Sequence, residues 1–293
     1  MRLSGSITAL LTPFKGDDVD EQALKRQVRF QLKNGTSGLV PCGSTGEAAT
    51  LNHDEYVQVI RLVVREAAGR VPVIAGVGAN DTKKAVHLCR DAAAAGADAL
   101  LVLVPYYNKP TQEGIFRHFQ ETARATNLPI VAYNIPGRTG VNMAPATLAR
   151  IADRCRNVVA VKEASGSLDQ VSETFQLAPK GFTVLSGDDS LTVPMMSLGA
   201  AGVISVLSNV LPRETSRVVA AARNGDFKTA ARLHLTLFPV IKALFVETNP
   251  IPVKAAAAMK GFGSGIPRLP LTPATPSTRQ ALKAAFKKAG FRL

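Results

Sequence analysis

Eight short runs of nearly unbroken apolar residues recur along the chain, each followed by a longer segment, and this alternation narrows the possible folds more than any other feature. The runs are "SITALLT", "SGLVPC", "VPVIAGVG", "DALLVLVP", "LPIVAYN", "VVAVKE", "FTVLSG" and "GVISVL". A strand of a parallel sheet is covered on both faces, so it reads as a continuous apolar stretch rather than as an alternation of apolar and polar positions. The segments "DEQALKRQVRFQLKNG", "HDEYVQVIRLVVREAAG" and "TKKAVHLCRDAAAAG" carry helical spacing and close at a glycine, the residue that most easily takes the left-handed turn ending a helix. Eight βα units within about 225 residues suit an α/β fold of the (β/α)8 barrel type better than a doubly wound sheet, which has fewer strands.

After Asn224 the strand signal stops, and "DFKTAARLHLTLFPVIKALFVE" and "TRQALKAAFKKAG" read as helices separated by the proline-rich "IPRLPLTPATP". The expected organisation is a catalytic barrel over residues 1–224 and a C-terminal helical domain over 225–293. A hydrophobic content of 46% in 293 residues supplies a substantial core. No apolar stretch is long enough to span a bilayer, and no small-residue cleavage site follows the N-terminal patch, so a cytoplasmic protein without membrane association is expected.

Cys42, Cys89 and Cys155 are far apart and odd in number, which supports neither a disulfide framework nor a paired-cysteine metal site. His53, His87, His118 and His234 are equally scattered, so no metal is expected. The formal net charge of +13 favours anionic partners. Its lysines and arginines are spread at helical spacing, however, and the absence of Trp leaves little to stack on bases, so a nucleic-acid partner is not expected.

In a barrel of this type the chemistry belongs at the C-terminal ends of the strands. The second unit ends in "CGSTGEAATL", where Gly43 and Gly46 permit a tight turn presenting backbone N–H groups beside the hydroxyls of Ser44 and Thr45, either as a carboxylate cradle or as an ordinary glycine turn. The fourth and fifth units deliver Tyr106, Tyr107 and Tyr133, three of the four tyrosines, as wet-ended caps or as proton relays. Arg138 follows in a glycine-flanked loop, placed to grip a carboxylate or to form a surface ion pair. Asp188 and Asp189 after the seventh strand would repel a phosphate at a position where many barrels bind one.

The sixth strand, "VVAVKE", carries a lysine at its end. Alternation along the strand groups Val158, Ala160 and Lys162 on one face and Val159, Val161 and Glu163 on the other. If the lysine face looks inward, desolvation at the barrel mouth favours the uncharged amine, which attacks ketones to form a Schiff base. A structural lysine paired with Asp188 or Glu47 is the alternative at this stage.

Taken in order, "GSTGEAATLNHDE", "PYYNKP", "YNIPGRTG", "VKEASG", "LSGDD", "GVISV" and "LFVETNPIPVK" resemble the dihydrodipicolinate synthase family, over nearly the whole chain. That family stands among the pyruvate-dependent class I aldolases, with N-acetylneuraminate lyase. The resemblance implies a lyase in which Lys162 condenses with pyruvate and the resulting enamine attacks L-aspartate 4-semialdehyde, with no cofactor beyond the covalent Schiff base. It implies a hydroxyl relay of Tyr133, Ser44 and Tyr107, the last reaching into a neighbouring subunit of a homotetramer built as a dimer of dimers. Thr45 would hold the pyruvate carboxylate, Gly187 and Ile204 would line the pocket, and Arg138 would bind the carboxylate of the semialdehyde. A related aldolase acting on a sugar-derived keto acid is the alternative, which Arg138 disfavours. Ser44 stands where many members carry threonine; the hydroxyl is kept, while serine gains rotamer freedom.

The resemblance also bears on feedback by L-lysine. Ala49, His53, Asn80 and Tyr106 match the pattern of lysine-inhibited members, whereas Ala48, Tyr56 and Lys84 depart from it. Lys84 puts a like charge where sensitive enzymes offer a carboxylate to the ammonium of lysine, which opposes binding. Inhibition by L-lysine is therefore expected to be weak or absent; a steady-state assay showing micromolar inhibition would refute this.

Overall fold

The computed structural model describes residues 3–293, so the first two residues of the expected barrel region lie outside it. Eight strands form a single parallel sheet: β1 Gly5–Ala9, β2 Gly38–Val40, β3 Ile74–Val77, β4 Ala99–Leu103, β5 Ile130–Asn134, β6 Val158–Glu163, β7 Thr183–Ser186 and β8 Gly202–Ser205. β1 lies between β2 and β8, and from β8 each strand pairs with its predecessor back to β3. A parallel bridge between Leu39 and Val73, with hydrogen bonds from Leu39 N to the Pro72 carbonyl (3.0 Å) and from Gly76 N to the Pro41 carbonyl (2.9 Å), brings β2 to β3 and closes the ring. The fold is the expected (β/α)8 barrel.

The connecting helices are α1 Glu21–Lys33, α2 His53–Ala67, α3 Thr82–Ala94, α4 Gln112–Arg124, α5 Pro145–Arg154, α6 Leu168–Leu177, α7 Thr192–Ser197 and α8 Pro212–Arg223. Their starts follow local chemistry. Asn52 and Glu55 form a reciprocal capping box at α2, while Asp20, Asp81, Thr111 and Ser167 each accept a backbone N–H in the first turn of α1, α3, α4 and α6. Beyond the barrel come α9 Phe227–Ala243, α10 Ile251–Met259 and α11 Pro276–Lys288. The sequence pattern indicated only the first and last of these. The alanine-rich α10 is buried along most of its length and so lacks the polar stripe that marks a surface helix. Among the described residues no helix is long and apolar enough to cross a membrane.

Two apolar layers hold the barrel together. Every strand contributes to the inner one, from Ile7 on β1 through Ala160 on β6 to Ile204 on β8, while the outer layer packs strand residues such as Leu100 and Val102 against helix residues such as Ile115 and Phe119. Full burial of a side chain of this size contributes about 1.5–3 kcal/mol. The strict alternation expected for β6 fails at one point. Ile130 pairs with Val158 but Val131 pairs with Ala160, so Val159 is an extra residue in the register. The resulting bulge sends Val158 to the outer layer and Val159 against the inner one, while Ala160 keeps its inward direction.

His118 on α4 is a buried polar residue outside the barrel mouth. Its Nδ1 lies 3.1 Å from Thr82 Oγ1 at the start of α3, and its Nε2 has no hydrogen-bond partner among the described residues. Burial pushes its pKa down from 6.5 to about 4, against a smaller opposing pull from Asp81. The folded protein therefore holds a neutral imidazole over a range where the unfolded chain takes up a proton. The associated stability is complete above pH 6.5 and is lost as the pH falls through 4. Urea unfolding at a series of pH values should show His118→Gln losing about 3 kcal/mol less than the parent across that window.

Candidate active site

Alternate residues of β6 place Lys162 at the mouth of the barrel, directly beside Tyr133 of β5 in the sheet register. The lysine is only 5% exposed, and its Nζ lies 4.1 Å from the centre of the Tyr133 ring. Among the described residues it makes no ion pair. Glu47, one carboxylate that could have claimed it, is instead paired with Lys254. Asp188, the other, is half-buried; desolvation pushes its pKa up and the charge of Lys162 pulls it down. Lys162 is thus a buried amine with an aromatic face and a nearby carboxyl but no fixed counter-ion.

Gly187 sets the space on the other side of this lysine. A Cβ there would stand 3.2 Å from Lys162 Cε, 2.6 Å from Ala164 Cβ and 3.1 Å from the Glu163 carbonyl. Ile204 lies below, within the inner apolar layer. Glu163 faces away from the mouth and is held by Asn134, Gln170 and the Ser165 backbone, fixing the end of β6.

A cavity of about 380 Å³ opens above the strand ends, lined by Ser44, Tyr106, Tyr133, Arg138 and Asn249 among others. Its volume suits a small-molecule site. The turn carrying Ser44 and Thr45 differs from the expected one in where it needs conformational freedom. The left-handed residues are Cys42 (φ 56°) and Glu47 (φ 55°), not Gly43 and Gly46. Gly46 answers to crowding instead, since a Cβ there would meet the Leu10 carbonyl at 3.0 Å. Ser44 faces the cavity. Thr45 is buried, and its Oγ1 accepts a hydrogen bond of 3.0 Å from Asn249 Nδ2.

Arg138 sits on a helical turn, Pro136–Thr139, and donates from Nη2 to the Asn249 carbonyl at 2.8 Å. It forms no ion pair among the described residues, which removes the surface-pair alternative. Asn249 thereby joins the two expected carboxylate-binding residues, with its own Oδ1 buried and without a partner among the described residues. Sequence reasoning attached no role to Asn249. The string "NPIPVK" that contains it was the only available signal.

Tyr107 is not brought to the cavity of its own chain. It is 86% exposed, in a left-handed conformation (φ 71°), with its N–H bonded to the Thr139 carbonyl at 3.2 Å. Tyr106 lines the cavity instead. Tyr106 and Ala49 also border a second cavity of about 570 Å³, where His53 and Lys84 lie, and the Asn80 carbonyl nearby accepts from Asn108 at 2.9 Å.

Asp189 bears on the expectation that no phosphate binds after the seventh and eighth strands. Its buried carboxylate accepts from the Ser205 hydroxyl and from the N–H groups of Val206 and Leu207, so the donors a phosphate would use are taken. Among the described residues no three His, Cys, Asp or Glu side chains gather where they could hold a metal ion.

A sequence model of the dihydrodipicolinate synthetase family matches residues 2–289. The 4-hydroxy-tetrahydrodipicolinate synthase of Pelobacter propionicus is 52% identical over 286 residues, 98% of either chain. The crystal structure of dihydrodipicolinate synthase from Aquifex aeolicus matches with a TM-score of 0.97 at 48% identity, covering 99% of both chains. The chloride-inhibited dihydrodipicolinate synthase from Acinetobacter baumannii, complexed with pyruvate, matches with a TM-score of 0.95 at 42% identity, covering 99% of this chain and 100% of that one.

The fit around Lys162 can be tested by volume. Gly187→Ala should cost about 1–3 kcal/mol in urea unfolding, because the new methyl group meets Ala164 and the Glu163 carbonyl. Adding Ala164→Gly should recover part of that loss, and no recovery would show that the crowding lies elsewhere.

Proposed function

Because the chain belongs to the dihydrodipicolinate synthetase family, we propose that it condenses pyruvate with L-aspartate 4-semialdehyde to give 4-hydroxy-tetrahydrodipicolinate, the committing step of diaminopimelate and lysine biosynthesis. The observation that carries this reading is Lys162, buried at the mouth of the barrel and, among the described residues, without an ion-pair partner. A class I aldolase needs an amine that can exist unprotonated beside a ketone, and a fixed counter-ion would oppose that.

The Nζ of Lys162 attacks C2 of pyruvate, and the carbinolamine loses water to form an iminium. Loss of a methyl proton then gives an enamine, whose carbon bonds to the aldehyde carbon of the semialdehyde. The amino group of the semialdehyde next attacks the iminium carbon, closing the ring and releasing Lys162. Tyr133 and Ser44 serve the proton transfers, joined by Tyr107 from a neighbouring copy. The exposure of Tyr107 on its own chain supports that arrangement. The assembly is a homotetramer of paired dimers in the cytoplasm, with neither metal nor organic cofactor; the iminium itself serves as the electron sink.

Two carboxylates must be held. Thr45 and its turn take that of pyruvate: Asn249 Nδ2 fills one lone pair of Thr45 Oγ1, leaving the hydroxyl proton to be donated. Arg138, fixed by the Asn249 carbonyl, takes that of the semialdehyde with its remaining N–H groups.

Pyruvate with borohydride should leave a reduced adduct on Lys162, located by peptide mass spectrometry, and aspartate semialdehyde should then support turnover. An adduct without turnover would shift the reading to an aldolase of sugar-derived keto acids, and no adduct would sink both. Arg138→Ala should raise the KM for the semialdehyde by roughly 10- to 100-fold and spare adduct formation.

A further inference from the structure

Lys254 is the second buried lysine of the chain, 3% exposed. It lies on α10, beyond the barrel, yet its Nζ donates to Glu47 Oε1 and, at 3.0 Å, to the Thr12 carbonyl. The ammonium also stands 4.1 Å from the centre of the Phe14 ring. Glu47 accepts from the Arg268 N–H (2.9 Å) through its other oxygen, so both carboxylate oxygens are engaged by the C-terminal segment. Thr12 in turn donates from Oγ1 to the Gly46 carbonyl at 2.7 Å. Lys254 therefore holds the Gly43–Glu47 turn from two sides, through the side chain of Glu47 and through Thr12 to the backbone before it.

Glu47 occupies a left-handed conformation that a residue with a Cβ adopts only when its surroundings enforce it. Two residues earlier stands Thr45, and one before that Ser44. Release of Glu47 to an ordinary helical or extended conformation would rotate the peptide units that aim both hydroxyls. A buried ion pair is weak evidence of a stabilising role, because well-packed apolar residues often replace such pairs without loss. Its geometry here instead favours a directional one.

Resting on the functional reading above, we propose that Lys254, acting through Glu47, is a positioning residue that holds the Ser44–Thr45 turn in the conformation that receives the pyruvate carboxylate. It touches neither substrate nor Lys162, so its effect falls on pyruvate capture and not on the amine chemistry.

The test uses the full chain with Glu47→Gln alone and with Glu47→Gln combined with Lys254→Met, which removes both charges together and avoids an uncompensated one. Four quantities are read: the urea midpoint, the pyruvate concentration for half-maximal borohydride trapping on Lys162, the rate of that trapping at saturating pyruvate, and amide hydrogen exchange at residues 43–47. In the double variant the midpoint should stay near that of the parent. Half-trapping should move roughly tenfold higher in pyruvate while the saturated rate stays within about threefold, and the turn amides should exchange faster. Half-trapping at the parent concentration, whether or not stability has fallen, overturns the proposal. If the double variant does not fold, Glu47→Gln decides by the same two readouts. A parent protein that traps no pyruvate would defeat the functional reading, and exchange at the turn would still show whether the pair holds it.

Discussion

Parallel pairing around a closed ring is the constraint on which the rest of this structure depends. All eight strands run in one direction, so their C-terminal ends open on the same face and every βα loop contributes to one rim. Closure also leaves the alternating side chains no choice but an inner or an outer layer. A lysine at the inward end of a strand is then desolvated by geometry, with the aromatic ring of its in-register neighbour at its side. The bulge at Val159 sits lower in the same strand and reverses the assignment of Val158, yet pairing resumes at Ala160 and carries Lys162 inward.

The two buried lysines illustrate how one side chain serves opposite ends. Lys254 has a carboxylate, a carbonyl and an aromatic face, the set of partners a buried ammonium requires. Burial pulls its pKa below the usual range, and Glu47 works against that pull. Lys162 has the aromatic face without the ion pair. The difference lies in partners and not in depth, since both are almost fully covered. Of two lysines buried to the same degree, one is held by an ion pair and the other, among the described residues, is not.

Much of the fold was legible because its signals are local. Apolar runs covered on both faces, glycine stops and capping residues lie within a few positions of the elements they define, and eight of them in succession leave few architectures. The placement of Lys162, Tyr133, Ser44 and Arg138 at strand ends followed from the barrel rule, which puts those ends on one rim. What escaped the sequence depends on approach between distant segments. Cys42 and Glu47 are left-handed where glycines were the expected bearers of that conformation, and Gly46 answers instead to the close approach of the Leu10 carbonyl. The bulge in β6 is a matter of pairing with β5, which no reading of β6 alone contains. Asn249 and Lys254 reach the cradle from more than 200 positions away.

That separation has a consequence for the order in which the site comes into being. Lys162, Tyr133 and the hydroxyl turn all leave the ribosome before Asn249 and Lys254 do. In a chain still being synthesised, the Thr45 hydroxyl thus has no Asn249 amide to orient it and Glu47 has no Lys254 counter-charge. The contacts that hold this turn arrive more than 200 residues after the turn itself. A barrel whose eight strands have all emerged still lacks the two side chains that hold this turn.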